Sequence, residues 1–440
     1  MQMAEREYKS FKVSCSSMDD FAMHALRWGH RHFGTAAYLN SNAYDHDKYG
    51  SLQQIIALGA AKSFHGGPSY MFDSLKAFSD QYHDWLFGFF SYEIKNQSEQ
   101  LHSKNPDGIG MPTAHFFRPL VVLILEHNIW RVGCLPGYGN FSQPKKVFFD
   151  IQKHQYHKTA SQQPINIKAR VDKVRYLQQV RAIKEHIQAG DIYEMNYCVE
   201  FFAEAVDADP LTVYENLNQI SPTPFSCFYA LDDKYLMCAS PERFLKKQGS
   251  RLVSQPIKGT IARGATPEND LALKQDLYND AKERSENVMI VDLVRNDLSR
   301  TARKGTVNVE EMFGIYSFKQ VHQMISTVTS EIRPGCHYLD AIKYAFPMGS
   351  MTGAPKIRAM QLIDHYEDTR RGLYSGAVGY ISPEKNFDFN VVIRSIQYNA
   401  KNKYLSYMAG SAITSGSVPE KEHEECLLKA RAMAEALQGH

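Results

Sequence analysis

The sequence predicts an α+β chain built on antiparallel strands. β-rich runs at 377–381, 387–398 and 404–410 follow one another with short, turn-bearing gaps, too close for the helical crossovers that parallel strands need. Further runs at 193–204, 226–231 and 235–239 alternate with helical patterns. The composition, 43% hydrophobic and 22% charged over 440 residues, supplies material for a large core. Length alone suggests about two or three domains.

The elements follow in order. FAMHALRWGHRHFG, from Phe21, reads as a helix, and LVVLILEHNIWRVG, from Leu120, as two strands about His127 and Asn128. A strand-like segment at 146–150 precedes KHQYHKTASQQPINIKAR, a polar stretch over 153–170. That stretch reads as a linker between an N-terminal support subdomain, 1–152, and a catalytic domain, 171–440. The helical pattern 171–189 ends at Gly190, the usual helix-terminating residue. Thr266-Pro267-Glu268 supplies an N-cap, a first-turn proline and an acid, predicting one helix running through 271–291. Ser417 and Glu420 form a capping box for a last helix.

Composition excludes several roles. With 50 Lys+Arg against 48 Asp+Glu the net charge is +2, not the basic excess of a nucleic-acid binder. The apolar run from Leu120 stops at Glu126, far short of the ~20 residues of a membrane span. The opening MQMAEREYKSFKVS carries both charges and no apolar core, predicting no secretory leader and a cytoplasmic chain. The seven cysteines, Cys15 among them, form no CxxC pair, which predicts reduced thiols.

Four constellations carry chemistry. Glu283 and Glu286 are three apart on a predicted helix and share a face. As a solvated acidic face they need no function, but the apolar VMIVDL that follows sets Glu286 at a core edge. Glu420, Glu422, Glu424 and Glu425 crowd the start of the last helix. The helix dipole accounts for Glu420; Glu422 and Glu425 again share a face. Two helices each offering such a pair suit a hard cation such as Mg2+. In PIKGT, Lys258 sits between proline and glycine, either a solvated charge or, if desolvated, a nucleophile. In SPERF, Glu242 follows proline, either a surface ion-pair partner or an acid. GSMTGAPK feeds a helix at Pro355, a glycine turn able to meet an anion but not a P-loop.

Taken in order, SPERF, PIKGT, ERSENVMIVDLVRND, GSMTGAPKIRAM, YSGAVGY, VVIRS and AGSAITS followed by E..EE...K resemble the chorismate-utilising enzymes over about residues 165–440. GFFSYEIKNQSE is similar to that family's GYxGYDL segment. The resemblance implies antiparallel sheets packed as a sandwich with helices outside. The lysine of PIKGT resembles the branch that aminates chorismate, aminodeoxychorismate synthase component I; anthranilate-forming relatives typically carry alanine there.

That resemblance implies roles. Lys258 would attack C2 while the C4 hydroxyl departs, Glu242 would protonate that hydroxyl, and ammonia would add at C4 and expel the lysine. Glu286 and Glu425 would hold Mg2+, with Glu283 and Glu422 beside them. Gly259, Thr260, Thr352, Tyr374, Arg394, Gly410 and Lys429 would contact substrate, the arginine pairing with a carboxylate. Burial would lower the Lys258 pKa from about 10.4, against the pull of Glu242 and the other glutamates. In YEMN, Glu194 and Asn196 fall in a block where isochorismate-forming relatives place a water-activating lysine at the position of Glu194. Gln323 falls where several relatives have histidine, and His322 stands one place early. None of the cysteines lies in a GxCxG elbow, so ammonia would come from a glutamine amidotransferase subunit. The alternatives are anthranilate synthase component I, or a non-catalytic chorismate- or tryptophan-binding protein.

Overall fold

The computed structural model describes residues 5–13, 18–50, 52–67, 70–99, 101–154 and 165–438. Most of the expected linker, 155–164, and Cys15 lie outside the described residues.

The strands pair antiparallel in two arms that meet at Ala114–Glu126. One arm runs from Glu7–Phe11 through Ile129–Cys134, Ala114–Glu126, Gln54–His65, Thr35–Asn40, Phe225–Leu231, Lys234–Ser240, Ser395–Asn399 and Tyr404–Thr414 to Glu194–Ala203. The other leaves Ala114–Glu126 through Leu86–Phe90, Ala377–Ile381, Phe387–Asn390, Arg243–Gln248 and Arg251–Gln255 to Val321–Glu331. There Ile257–Ala262 and Asn308–Ser317 also pair with Val321–Glu331.

The inner faces of the two arms share a core containing Phe87, Phe89, Phe117, Tyr229, Leu236 and Val378. Burying side chains of this size contributes on the order of 2–3 kcal/mol each. The outer face of the first arm packs under helices Met18–His32, Lys173–Gln188, Pro210–Ile220 and Pro419–Ala436. The outer face of the second packs under Met71–Asp80, Ala281–Ser299 and Tyr338–Ala345. This is the expected sandwich with helices outside.

Several local expectations change. Residues 146–150 belong to a helix, Pro144–Lys153, because Val147, Phe148 and Ile151 form one buried stripe behind a first-turn proline. The single helix expected after Thr266 is two, Pro267–Asn279 and Ala281–Ser299. Asp280 is extended and its carboxylate accepts from the Glu283 amide at 2.9 Å, capping the second helix. Ser417 does not cap the last helix, Pro419–Ala436. Its hydroxyl accepts from the Thr414 amide at 3.1 Å and closes the turn before the helix. The run 387–398 breaks into Phe387–Asn390 and Ser395–Asn399. The boundary expected at 153–170 does not divide the sheets: Thr35–Asn40 pairs with Phe225–Leu231, and Leu86–Phe90 with Ala377–Ile381.

Candidate active site

A cavity of about 170 Å3 opens where Glu194–Ala203, Ile257–Ala262 and Tyr404–Thr414 meet helices Ala281–Ser299 and Pro419–Ala436. Strand alternation sorts the first wall: Asn196 and Cys198 line the cavity, whereas Met195, Tyr197 and Val199 join the core under the helices. Gly410 lines it too; a Cβ there would lie 2.1 Å from the Tyr197 carbonyl oxygen, so only glycine lets the strands approach this closely. The second wall escapes alternation. The pairing register shifts between Ile257 and Thr260, and Gly259 has φ +92°, so Ile257, Lys258, Gly259 and Thr260 all reach the cavity.

Lys258 and Glu242 therefore share one cavity, as the sequence suggests. Glu242 is 4% exposed. Burial pushes its carboxyl up to about 7, despite the Ser350 hydroxyl, the Ile257 amide and the Lys258 and Lys429 ammonium groups. A carboxyl so poised is protonated for part of the neutral range and can donate a proton. Lys258 departs from expectation. Its ammonium is ion-paired to the buried Glu194. Burial alone would lower its pKa, but Glu194, Glu286 and Glu283 outweigh burial and raise it. Lys258 is held as a cation.

Three of the four glutamates, Glu283, Glu286 and Glu425, line the cavity. Glu422 sits behind them, its carboxylate 3.4 Å from the Lys282 ammonium, which lies 3.7 Å from Glu286. Among the described residues, no cluster of three or more His, Cys, Asp or Glu side chains converges as a finished metal cage. The donor set still suits a hard cation: Glu286 Oε1 and Glu422 Oε2 are buried with no hydrogen-bond partner among the described residues. Burial, with Glu194 and Glu283 nearby, pushes Glu286 up to about 7. Burial also raises Glu283. At Glu425 burial acts upward, but Lys429, Lys282 and Lys258 prevail and lower it. Lys429 reaches Glu425 at 2.7 Å and the Gly410 carbonyl at 3.2 Å.

A further cation lines the cavity. Arg394 sits in the break before Ser395–Asn399 at φ +49°, a left-handed conformation that a bulky residue rarely adopts and that concentrates at functional sites. Its guanidinium makes no ion pair among the described residues, and burial lowers its pKa. An unpaired, half-buried guanidinium on a cavity wall recruits an anion. Tyr374 also lines the cavity, beside the first wall, its hydroxyl 3.7 Å from Cys198 Sγ.

Thr352, expected at the substrate, is not among the lining residues. Its hydroxyl turns back to the Met348 and Gly349 carbonyls at 3.2 and 3.3 Å, and Ser350 and Met351 line the cavity instead. Lys356 beyond Pro355 is engaged by Asp297 at 2.6 Å. Alternation along Val321–Glu331 separates His322 from Gln323. Gln323 lines the cavity, 3.4 Å from the Thr260 hydroxyl. His322 faces the other way, bonded to Ser317 Oγ at 2.9 Å and Asp270 at 3.0 Å.

This arrangement can hold one carboxylate at Arg394 and, through a cation on the glutamates, a second, while Lys258 and a carboxyl poised near neutrality face them. Residues 34–435 match the family described as chorismate binding enzyme. The chain belongs to that family. Anthranilate synthase component 1 of Aquifex aeolicus is 33% identical over 368 residues, covering 80% of this chain and 74% of its own. Aminodeoxychorismate synthase of Streptomyces griseus is 42% identical over 273 residues, covering 62% of this chain but 37% of its own length. Aminodeoxychorismate synthase component 1 of Bacillus subtilis is 37% identical over 263 residues, covering 60% and 55%. The crystal structure of anthranilate synthase component I from Streptococcus pneumoniae superposes with a TM-score of 0.77 at 26% identity, covering 88% of this chain and 93% of that one. The menaquinone-specific isochorismate synthase of Escherichia coli superposes with a TM-score of 0.78 at 16% identity, over 99% and 95%, a likeness of fold alone.

In this chorismate-binding enzyme sequence reasoning misses Lys282. Its signal is its place four residues before Glu286, one turn away on the same face. Ser350 is also missed; it is delivered by the same glycine turn that suggested Thr352. Among the described residues no helix is long and apolar enough to cross a membrane.

Proposed function

We propose that this chain is the chorismate-aminating component of an aminodeoxychorismate synthase, making 4-amino-4-deoxychorismate from chorismate and ammonia, a precursor for 4-aminobenzoate and folate. The observation that carries the reading is that Lys258 and a carboxyl poised near neutrality, Glu242, line one cavity. Arg394 and Tyr374 hold one substrate carboxylate, the guanidinium by a bidentate pair. Glu286 and Glu425, with Glu283 and Glu422 beside them, would hold Mg2+, which supplies positive charge for the ring carboxylate.

The chain's own groups then act in sequence. The Lys258 amine forms a bond to C2, the two ring double bonds shift, and the C4–oxygen bond breaks. Hydroxide is a poor leaving group, so Glu242 gives its proton to that oxygen and water departs. Ammonia adds at C4, the double bonds shift back, and the C2–nitrogen bond breaks with its electron pair returning to Lys258. The enolpyruvyl ether is untouched. Ammonia comes from a glutamine amidotransferase subunit in a cytoplasmic complex.

The test is the mass of the product from chorismate, Mg2+ and ammonium. Aminodeoxychorismate, converted to 4-aminobenzoate only when a lyase is added, supports the reading. Anthranilate formed without a lyase overturns it and favours anthranilate synthase component I, the reading that the Aquifex aeolicus relative supports over 80% of this chain. No turnover with ammonium, with chorismate still bound, favours a binding protein.

A further inference from the structure

Glu194 opens the strand Glu194–Ala203, with Thr414 and Ala354 opposite it on its two sides. Its backbone is thus fixed, and alternation turns its side chain to the face that carries Asn196 and Cys198 into the cavity. Its carboxylate meets the Lys258 ammonium, and both side chains are under a tenth exposed. Other charges surround Lys258: Glu286 and Glu283 from the helix Ala281–Ser299, Glu242 from the turn before Arg243–Gln248, and Glu425 from the last helix. Among the described residues Glu194 alone is hydrogen-bonded to its nitrogen. A buried ion pair adds little net stability, because desolvation offsets attraction. Placed at a cavity wall, this pair invites a chemical reading.

We propose that Glu194 is the positioning residue for Lys258, taking the ammonium proton when substrate arrives and returning it when the lysine leaves. The inference rests on the nucleophile reading above. The balance closes. Lys258–NH3+ and Glu194–COO− become Lys258–NH2 and Glu194–COOH; the freed lone pair forms the bond to C2, leaving a secondary ammonium. When that carbon–nitrogen bond breaks, the pair returns to nitrogen and the proton comes back from Glu194. A direct hydrogen bond makes the transfer a short hop, and the carboxylate holds the amine at the wall in both states.

Glu194→Gln keeps shape and removes the proton acceptor. Turnover with chorismate, Mg2+ and ammonium should fall about 100-fold, the scale of positioned proton transfer, with KM held within about threefold. Glu194→Asp should recover part of that rate, which a loss of packing would not allow. A second measurement needs no turnover: cyanate labelling of Lys258 near pH 7.5, read by peptide mass spectrometry. Each unit by which the lysine pKa drops frees about tenfold more neutral amine, so labelling in Glu194→Gln should rise by about that factor. Wild-type turnover in Glu194→Gln, or equal labelling of Lys258 in the two proteins, overturns the inference. Failure of the amination reading shows differently, as a change in the wild-type product.

Discussion

The Lys282 ammonium stands 3.4 Å from the Glu422 carboxylate, one cation joining the helix Ala281–Ser299 to the helix Pro419–Ala436. Removing it leaves carboxylates facing one another across the helices. Lys282→Met should lower stability by about 1–2 kcal/mol in metal-free buffer. Mg2+ should restore part of the loss. Thermal melts with and without Mg2+ check this; a variant that melts like the wild type in metal-free buffer contradicts it.

Glu242 gives a pH dependence of definite sign. Its carboxyl is raised to about 7 in the folded protein from an ordinary value near 4.5. Between those values the folded state binds more protons than the unfolded one, so stability falls as pH rises. The contribution is complete below about 4.5 and gone above about 7. Melts from pH 4.5 to 8 should show this decline, and Glu242→Gln should lessen it, the rest belonging to Glu286, which is raised to about 7 as well. The same variant should lose about 100-fold or more in kcat while still binding chorismate. A slope in Glu242→Gln as steep as in the wild type would place the titration elsewhere.

Arg394 is predicted to act in binding. Arg394→Lys keeps the charge but not the planar fork, and should raise KM for chorismate about tenfold; Arg394→Ala should raise it further. Steady-state kinetics decide, and an Arg394→Lys enzyme with unchanged KM would remove the guanidinium from the carboxylate.

His322 and Gln323 separate cleanly. His322→Asn breaks the contacts to Ser317 and Asp270 and should lower the melting temperature while leaving kcat intact. Gln323→Leu alters the cavity wall and should change kcat or KM with little effect on melting. The reverse pattern would show that the strand faces are misassigned.

Much of this is legible in the residues, and the exceptions have physical causes. Lys258, Glu242, Gly410 and the glutamates are found because their motifs keep one order along the chain, and three of the four glutamates do meet at the cavity. The break at Asp280 is harder to see, since the helical pattern runs on across it; only the Asp280–Glu283 spacing, an acid capping three residues ahead, betrays it. Thr352 looks like a ligand because it sits in a glycine turn, yet a turn does not reveal which way a hydroxyl points. Lys258 misleads differently. Burial by itself depresses a lysine, and the partner that reverses this, Glu194, lies 64 positions away along the chain.

The interleaving of early and late strands has a consequence for synthesis. Leu86–Phe90 can be completed only by Ala377–Ile381, and the cavity needs Glu425 and Lys429 from Pro419–Ala436. A ribosome making this chain exposes edge strands from its first third long before their partners emerge. Such waiting edges are sticky, and long-range pairing is slow. Nascent chains stalled before residue 377 should therefore depend on a holding chaperone and be open to protease. A ligand of this cavity cannot act as a folding aid until Pro419–Ala436 has left the exit tunnel.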